Sequence, residues 1–220
     1  MLGFRGVRLY VLAPDIARSQ TKAILTAAAR CMQEDIQVQP EIQIPMVVNR
    51  PETLRVVETI HEAARAVLEA EGIEVPYEVG VMVETPAAVR TVDTFAGDLQ
   101  FFSYGVNDLT QTVLAISRDD TGHFMGAYEE FGIVSADPFR SLDPIVETFM
   151  EEALERSRRS NPDIFVFASG DLGGDPHSVK VFHEMGLDGV SASPWLVPVA
   201  TRAAAQANLA RPRKGEAPDA

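Results

Sequence analysis

Apolar positions along the chain fall into two alternating patterns. Short runs at 41–48 (EIQIPMVV), 77–84 (YEVGVMVE), 100–106 (QFFSYGV), 163–169 (DIFVFAS) and 189–193 (GVSAS) are long enough for a buried strand and too short for a helix. Between and around them, residues 15–33, 51–70, 86–95, 142–160, 176–185 and 197–209 predict amphipathic helices. Pro14 stands just ahead of Asp15, a capping residue, and Pro86 falls in a first turn, where its missing N–H costs nothing. Residues 1–9 (MLGFRGVRL), with glycines on either side of Phe4-Arg5, predict a tight irregular segment holding an arginine at a turn. Residues 107–138 predict a long loop, and long loops inside compact domains are usually functional. Residues 210–220, rich in Pro, Ala and charge, predict a disordered tail behind one domain at 1–209.

Strand and helix thus alternate five times, which implies a parallel sheet with right-handed crossovers. Five units are too few to close a ring that takes about 250 residues. The expected fold is α/β, of the (β/α)8 barrel type with its first strands lacking. The edges left open would be covered by another chain or by self-association.

In parallel α/β folds, ligands bind at the carboxyl ends of the strands, so the residues there carry the functional reading. They are Asn49-Arg50, Glu84, Asn107-Asp108, Ser169-Gly170-Asp171 and Ser193-Pro194. All are polar where the strands themselves are apolar. Glu84 and Asp108, from consecutive strands, offer two hard oxygen ligands suited to a magnesium ion that keeps waters and shares its shell with an anionic substrate. Each acid could equally cap a helix: Glu84 ahead of Thr85-Pro86, and Asp108 ahead of residues 109–116. The glycine-rich loop 170–176 can present backbone N–H groups to an anion at a helix start, but it lacks the lysine and spacing of a P-loop.

Composition narrows the field. The 220 residues are 46% hydrophobic, enough for one sizeable core. A net charge of -13 argues against nucleic-acid and anionic-membrane partners. A single cysteine, Cys31, in an apolar helical run, excludes an internal disulfide framework and fits a cytoplasmic protein. No apolar run approaches the length of a membrane span, and no signal peptide is evident. The histidines, His61, His123, His177 and His183, show no metal-ligand spacing.

Taken in order and spacing, LGFRGVRL, EIQIPMVV, VGVMVETPAAV, FFSYGVNDLTQTVLAISRDD, SADPF, GDLGGDP and GLDGVSASPWLVPVATRAAAQ resemble the C-terminal phosphoenolpyruvate/pyruvate-binding barrel of pyruvate phosphate dikinases. Phosphoenolpyruvate synthases and the first enzyme of the sugar phosphotransferase system share the pattern less closely. The resemblance implies a magnesium-dependent site that interconverts phosphoenolpyruvate and pyruvate, with a phosphohistidine on a separate swivelling domain. By that resemblance Glu84 and Asp108 hold the metal, Arg5 neutralises the transferring phosphoryl group, and Gly105, Val106 and Asn107 line the substrate pocket, Asn107 as a donor.

Departures from the family's pattern weigh against full activity. Ser169 stands where the family has the cysteine that protonates the enolate carbon, Leu172 replaces a histidine and Val106 a threonine. The opening strands, the nucleotide-binding domain and the phosphohistidine domain are not found in this sequence, so those parts would lie on another chain or in a longer enzyme of which this is a part. Three readings result: a dikinase-type half-site, a catalytically silent ligand-sensing or partner-binding relic, and a metal-dependent lyase acting on pyruvate enolate.

Overall fold

The computed structural model describes residues 2–212. In chain order the elements are α1 (Val7–Leu12), α2 (Pro14–Gln33), β1 (Glu41–Ile44), α3 (Arg50–Glu71), β2 (Glu78–Val83) and α4 (Pro86–Thr91). Then come β3 (Phe101–Gly105), α5 (Val106–Leu114), α6 (Met125–Glu130), α7 (Pro144–Ser160), β4 (Phe165–Ser169), α8 (Pro176–Met185), β5 (Gly189–Ser191) and α9 (Val197–Ala210). Short 3-10 turns fill several of the connections.

The sheet is parallel throughout, in the order β1-β2-β3-β4-β5. A doubly wound sheet reverses its strand order at a switch point, whereas this order never reverses, which is the succession of a barrel. The fold is therefore α/β with a five-stranded arc of barrel type, as expected. Among the described residues β1 and β5 each pair on one side only.

Alternation along the strands divides the arc into two faces. Ile42, Ile44, Val79, Val81, Val83, Phe102, Tyr104, Val166 and Ala168 pack outward into one core with α3, α4 and α7. The Tyr104 hydroxyl, wholly buried, donates to the Met150 carbonyl at 2.6 Å and ties β3 to α7. Gln43, Met82, Phe101, Ser103, Phe167 and Ser169 lie on the concave face, where Phe101 and Phe167 stack with centroids 6.0 Å apart. That face is more polar, and it runs up to the carboxyl ends.

Several expectations about local structure are revised. β1 stops at Ile44 rather than Val48, because Pro45 has no N–H for the ladder and Met46 adopts φ 62°. Within segment 1–9, the described residues are irregular only from Leu2 to Gly6, whose positive φ turns the chain directly into α1. The helix expected at 86–95 ends at Thr91, where the Thr91 and Thr94 hydroxyls bond back to main-chain carbonyls and compete with the helical ladder. The stretch 107–138 is not structureless, since it carries α5 and α6. α5 is short, with Val106, Leu109 and Thr110 buried along one side. Of the expected tail, Ala210 closes α9 and the Arg211 carbonyl accepts from His183 Nε2 at 2.7 Å; residues 213–220 lie outside the described residues. No helix among the described residues is long and apolar enough to cross a membrane.

Candidate active site

Glu84 follows the last residue of β2, and its side chain is buried, 1% exposed. It does not cap α4. That role belongs to Thr85, whose hydroxyl accepts from the Ala88 N–H at 3.1 Å. Asp108 sits in the first turn of α5 rather than at its cap, which is Gly105. The helix-cap reading therefore fails for both acids, and their side chains lie close enough for the charge of Asp108 to act on Glu84.

A buried carboxyl group beside a second acid resists ionisation. Burial, and then the charge of Asp108, push the Glu84 pKa up to about 8, while the Met46 N–H and the charge of Arg5 act in the opposite direction. Without a cation the pair thus retains a proton near neutral pH. With one, both groups would be free to act as hard oxygen donors. Among the described residues no cluster of three or more His, Cys, Asp or Glu side chains could hold a metal. A two-carboxylate set fits magnesium, which dehydrates reluctantly and fills the rest of its octahedron with water and substrate oxygens.

The surroundings position each acid. Met46 N–H donates to Glu84 Oε1 at 2.7 Å. Gln111 Nε2 donates to Asp108 Oδ1 at 2.9 Å, one turn along α5. The Thr112 hydroxyl lies 3.2 Å from the Glu84 carbonyl and 2.9 Å from that of Asp108, joining α5 to the end of β2. Gly105 must be small: a Cβ there would collide with Glu84 Oε2 and stand 2.8 Å from Met82 Sδ. Gly105→Ala is accordingly expected to displace the Glu84 carboxylate and weaken Mn²⁺ binding by about tenfold or more, read by titration calorimetry.

Ser169 ends β4 and pairs in register with Gly105, so it belongs to the same concave row. Its hydroxyl lies 3.1 Å from the Tyr104 carbonyl, to which it donates, and 3.3 Å from Ser103 Oγ. Asn107 Nδ2 reaches Asp171 Oδ2 at 3.5 Å, and Arg118 pairs with the same oxygen. Asn107 Oδ1 is buried with no hydrogen-bond partner, an orphaned acceptor against the turn at Gly170. Arg5 is exposed, on the turn leading into α1, with its charge felt at Glu84.

Two expected features take other roles. Val106 is fully buried in the hydrophobic core, so only its main chain remains for a ligand. The loop 170–176 does not offer a free helix start, because the Asp175 carboxylate already accepts from the Ser178 N–H at 2.9 Å and its hydroxyl at 2.6 Å. Leu172 belongs to the core, as an apolar residue would. Met46, Gln111 and Thr112 escape a sequence reading. The first contributes through its backbone, and a left-handed conformation costs an L-residue about 1–2 kcal/mol without leaving any mark in its side chain.

Residues 1–209 match the family described as "PEP-utilising enzyme, PEP-binding domain". Over 211 residues, 95% of its length, the chain is 42% identical to the pyruvate, phosphate dikinase of Clostridium symbiosum, covering 24% of that protein. It is 43% identical to the chloroplastic enzyme 1 of Arabidopsis thaliana over 96% of its own length and 22% of the relative's, and 43% identical to the Giardia intestinalis enzyme. The chain thus spans about a quarter of the length of these curated relatives. Among solved structures, a citrate lyase from Burkholderia xenovorans aligns with TM-score 0.51 and 15% identity over 74% of this chain and 48% of the lyase, a likeness of fold alone. With the match running from residue 1 to 209, the chain belongs to the PEP-utilising enzymes and constitutes their PEP-binding domain.

Proposed function

We propose that this domain binds phosphoenolpyruvate and pyruvate together with a magnesium ion held by Glu84 and Asp108, as one half of a dikinase-type phosphotransferase. The phosphohistidine and nucleotide-binding parts would be supplied elsewhere. The observation that carries this reading is the buried Glu84 carboxyl beside the half-buried Asp108, within reach of the charge of Arg5, at the carboxyl edge of the parallel arc. When bound, the ion supplies positive charge next to the oxygens on which enolate charge develops. The chain's own residues do the rest. Arg5 places a guanidinium where the phosphoryl group would enter, Gly105 leaves room for the carboxylates, and Asn107 presents its amide to the substrate.

Ser169 favours a second reading, in which the site takes the ligand without turning it over. Its hydroxyl is a far weaker acid than a thiol of pKa about 8.5, and its proton is engaged by the Tyr104 carbonyl. The lyase alternative has only the shared fold behind it.

Oxalate, a mimic of pyruvate enolate, tests the binding claim common to both readings. At about a hundred times its Kd it should stabilise the protein by about 2.7 kcal/mol, a rise of roughly 5–10 °C in Tm, and only with Mg²⁺ or Mn²⁺ present. Glu84→Ala should abolish the rise. Equal stabilisation of Glu84→Ala by oxalate would remove Glu84 from the cation site.

A further inference from the structure

One peptide unit joins the two ends of the site. The carbonyl of Pro45 accepts from the N–H of Val7, the first residue of α1, at 2.9 Å, and the N–H of Met46 donates to Glu84 Oε1 at 2.7 Å. In a trans peptide the C=O and N–H point in opposite directions, so the Pro45–Met46 plane reaches toward Arg5's turn on one side and toward Glu84 on the other.

That plane is held in an uncommon state. Met46 is 1% exposed with φ 62°, a conformation an L-residue keeps only where its surroundings over-determine it. Gly6 presses on it from the N-terminal side. Its own φ is 59°, and a Cβ there would stand 2.7 Å from Met46 Cβ and 3.0 Å from the Pro45 carbonyl oxygen. On the other side, the Thr85 and Thr91 hydroxyls bond the carbonyls of Val47 and Val48 at 3.4 and 2.9 Å. A flip of the 45–46 peptide would break the contacts to Val7 and Glu84 together.

We propose that the Gly6–Met46 seat is the positioning device that sets the Arg5 turn and the Glu84 carboxylate in one frame, so that the anion-binding and cation-binding ends of the site are coupled through a single strained peptide. The proposal takes from the preceding subsection the roles of Glu84 and Arg5. It adds Met46 and Gly6 as positioning residues, neither of which touches the ligand by its side chain.

The test combines amide hydrogen exchange by NMR with binding of Mn²⁺ alone by electron paramagnetic resonance. In Gly6→Ala the added methyl meets Met46, and the Val7 and Met46 amides should both lose protection by about tenfold or more while the α7 amides, a check on folding, stay unchanged. The Mn²⁺ Kd should rise about tenfold in step. Met46→Val should behave like Gly6→Ala, since a β-branched residue resists positive φ, whereas Met46→Gly, which adopts it freely, should keep Mn²⁺ affinity within about threefold. A Met46 amide still protected in both Gly6→Ala and Met46→Val would overturn the seat, as would lost protection with unaltered Mn²⁺ affinity. Failure of the unsubstituted protein to take up Mn²⁺ would instead sink the cation assignment, and the exchange of the Val7 and Met46 amides would then decide the seat alone.

Discussion

In the absence of divalent cations at pH 8.5, Glu84→Gln is expected to be more stable than the unsubstituted protein, by on the order of 2 kcal/mol or roughly 4–8 °C in Tm. The reason lies in the raised Glu84 pKa. The carboxyl group is held at about 8 in the fold against an ordinary value of 4.5, so the fold prefers its protonated form. Stability from that preference is fully present below pH 4.5 and is lost as pH rises through 8. A glutamine keeps the acceptor for Met46 N–H, offers an N–H to Asp108, and has no charge to bury. The two proteins should therefore agree near pH 4.5, draw apart steadily as pH rises toward 8, and keep a constant difference above it, as measured by urea unfolding in chelator. Parallel loss of stability in both from pH 5 to 9 would mean that Glu84 ionises as an ordinary carboxylate. Adding Mg²⁺ should reverse the order at pH 8.5, because only the carboxylate can hold it. Here the stabilising substitution is the one that abolishes binding, as is common where a site is built against the preference of the fold.

Ser169→Cys is expected to raise the exchange of pyruvate methyl protons with solvent by about 10² or more, since a positioned acid–base group typically contributes 10² to 10⁴. The position is right for it. Ser169 faces the concave row beside Gly105, with its side chain only partly buried. A free thiol has a pKa of about 8.5 and exchanges its proton readily near neutral pH, while a serine hydroxyl does not ionise in this range. Exchange is followed by proton NMR in D₂O with Mg²⁺ present, and the doubly substituted Ser169→Cys/Glu84→Ala protein should be as slow as the unsubstituted chain. Rapid exchange in the unsubstituted chain would eliminate the binding-only reading. No gain in Ser169→Cys would mean that this position does not face the substrate methyl group.

Much of the arc was legible from local signals. The apolar runs ending at Val83, Gly105 and Ser169 are interrupted by polar or glycine residues where a strand must stop, and the helices that follow announce themselves by Thr85-Pro86, Asp143-Pro144 and Asp175-Pro176. In all three the residue before proline caps its helix by a side-chain oxygen. The pairing of Glu84 with Asp108 could be anticipated from their places at consecutive strand ends, and the resemblance to the dikinases pointed the same way. α5 was legible only as the alternative in which Asp108 caps 109–116, and α6 not at all, because a helix of six residues is held by packing rather than by its own period.

What the amino-acid sequence determined by itself is the order and direction of the strands, and hence the rim on which every polar strand-end residue collects. Only the tertiary structure decided which of those residues come together, which retire into the core as Val106 does, and which main-chain group holds Glu84. Met46 and Glu84 are 38 residues apart, and their bond depends on φ at Met46 and on a glycine packed above it. Side-chain pattern encodes burial, and burial decides strand and face. The direction of a single N–H is set by the packing of distant segments, which no local pattern records.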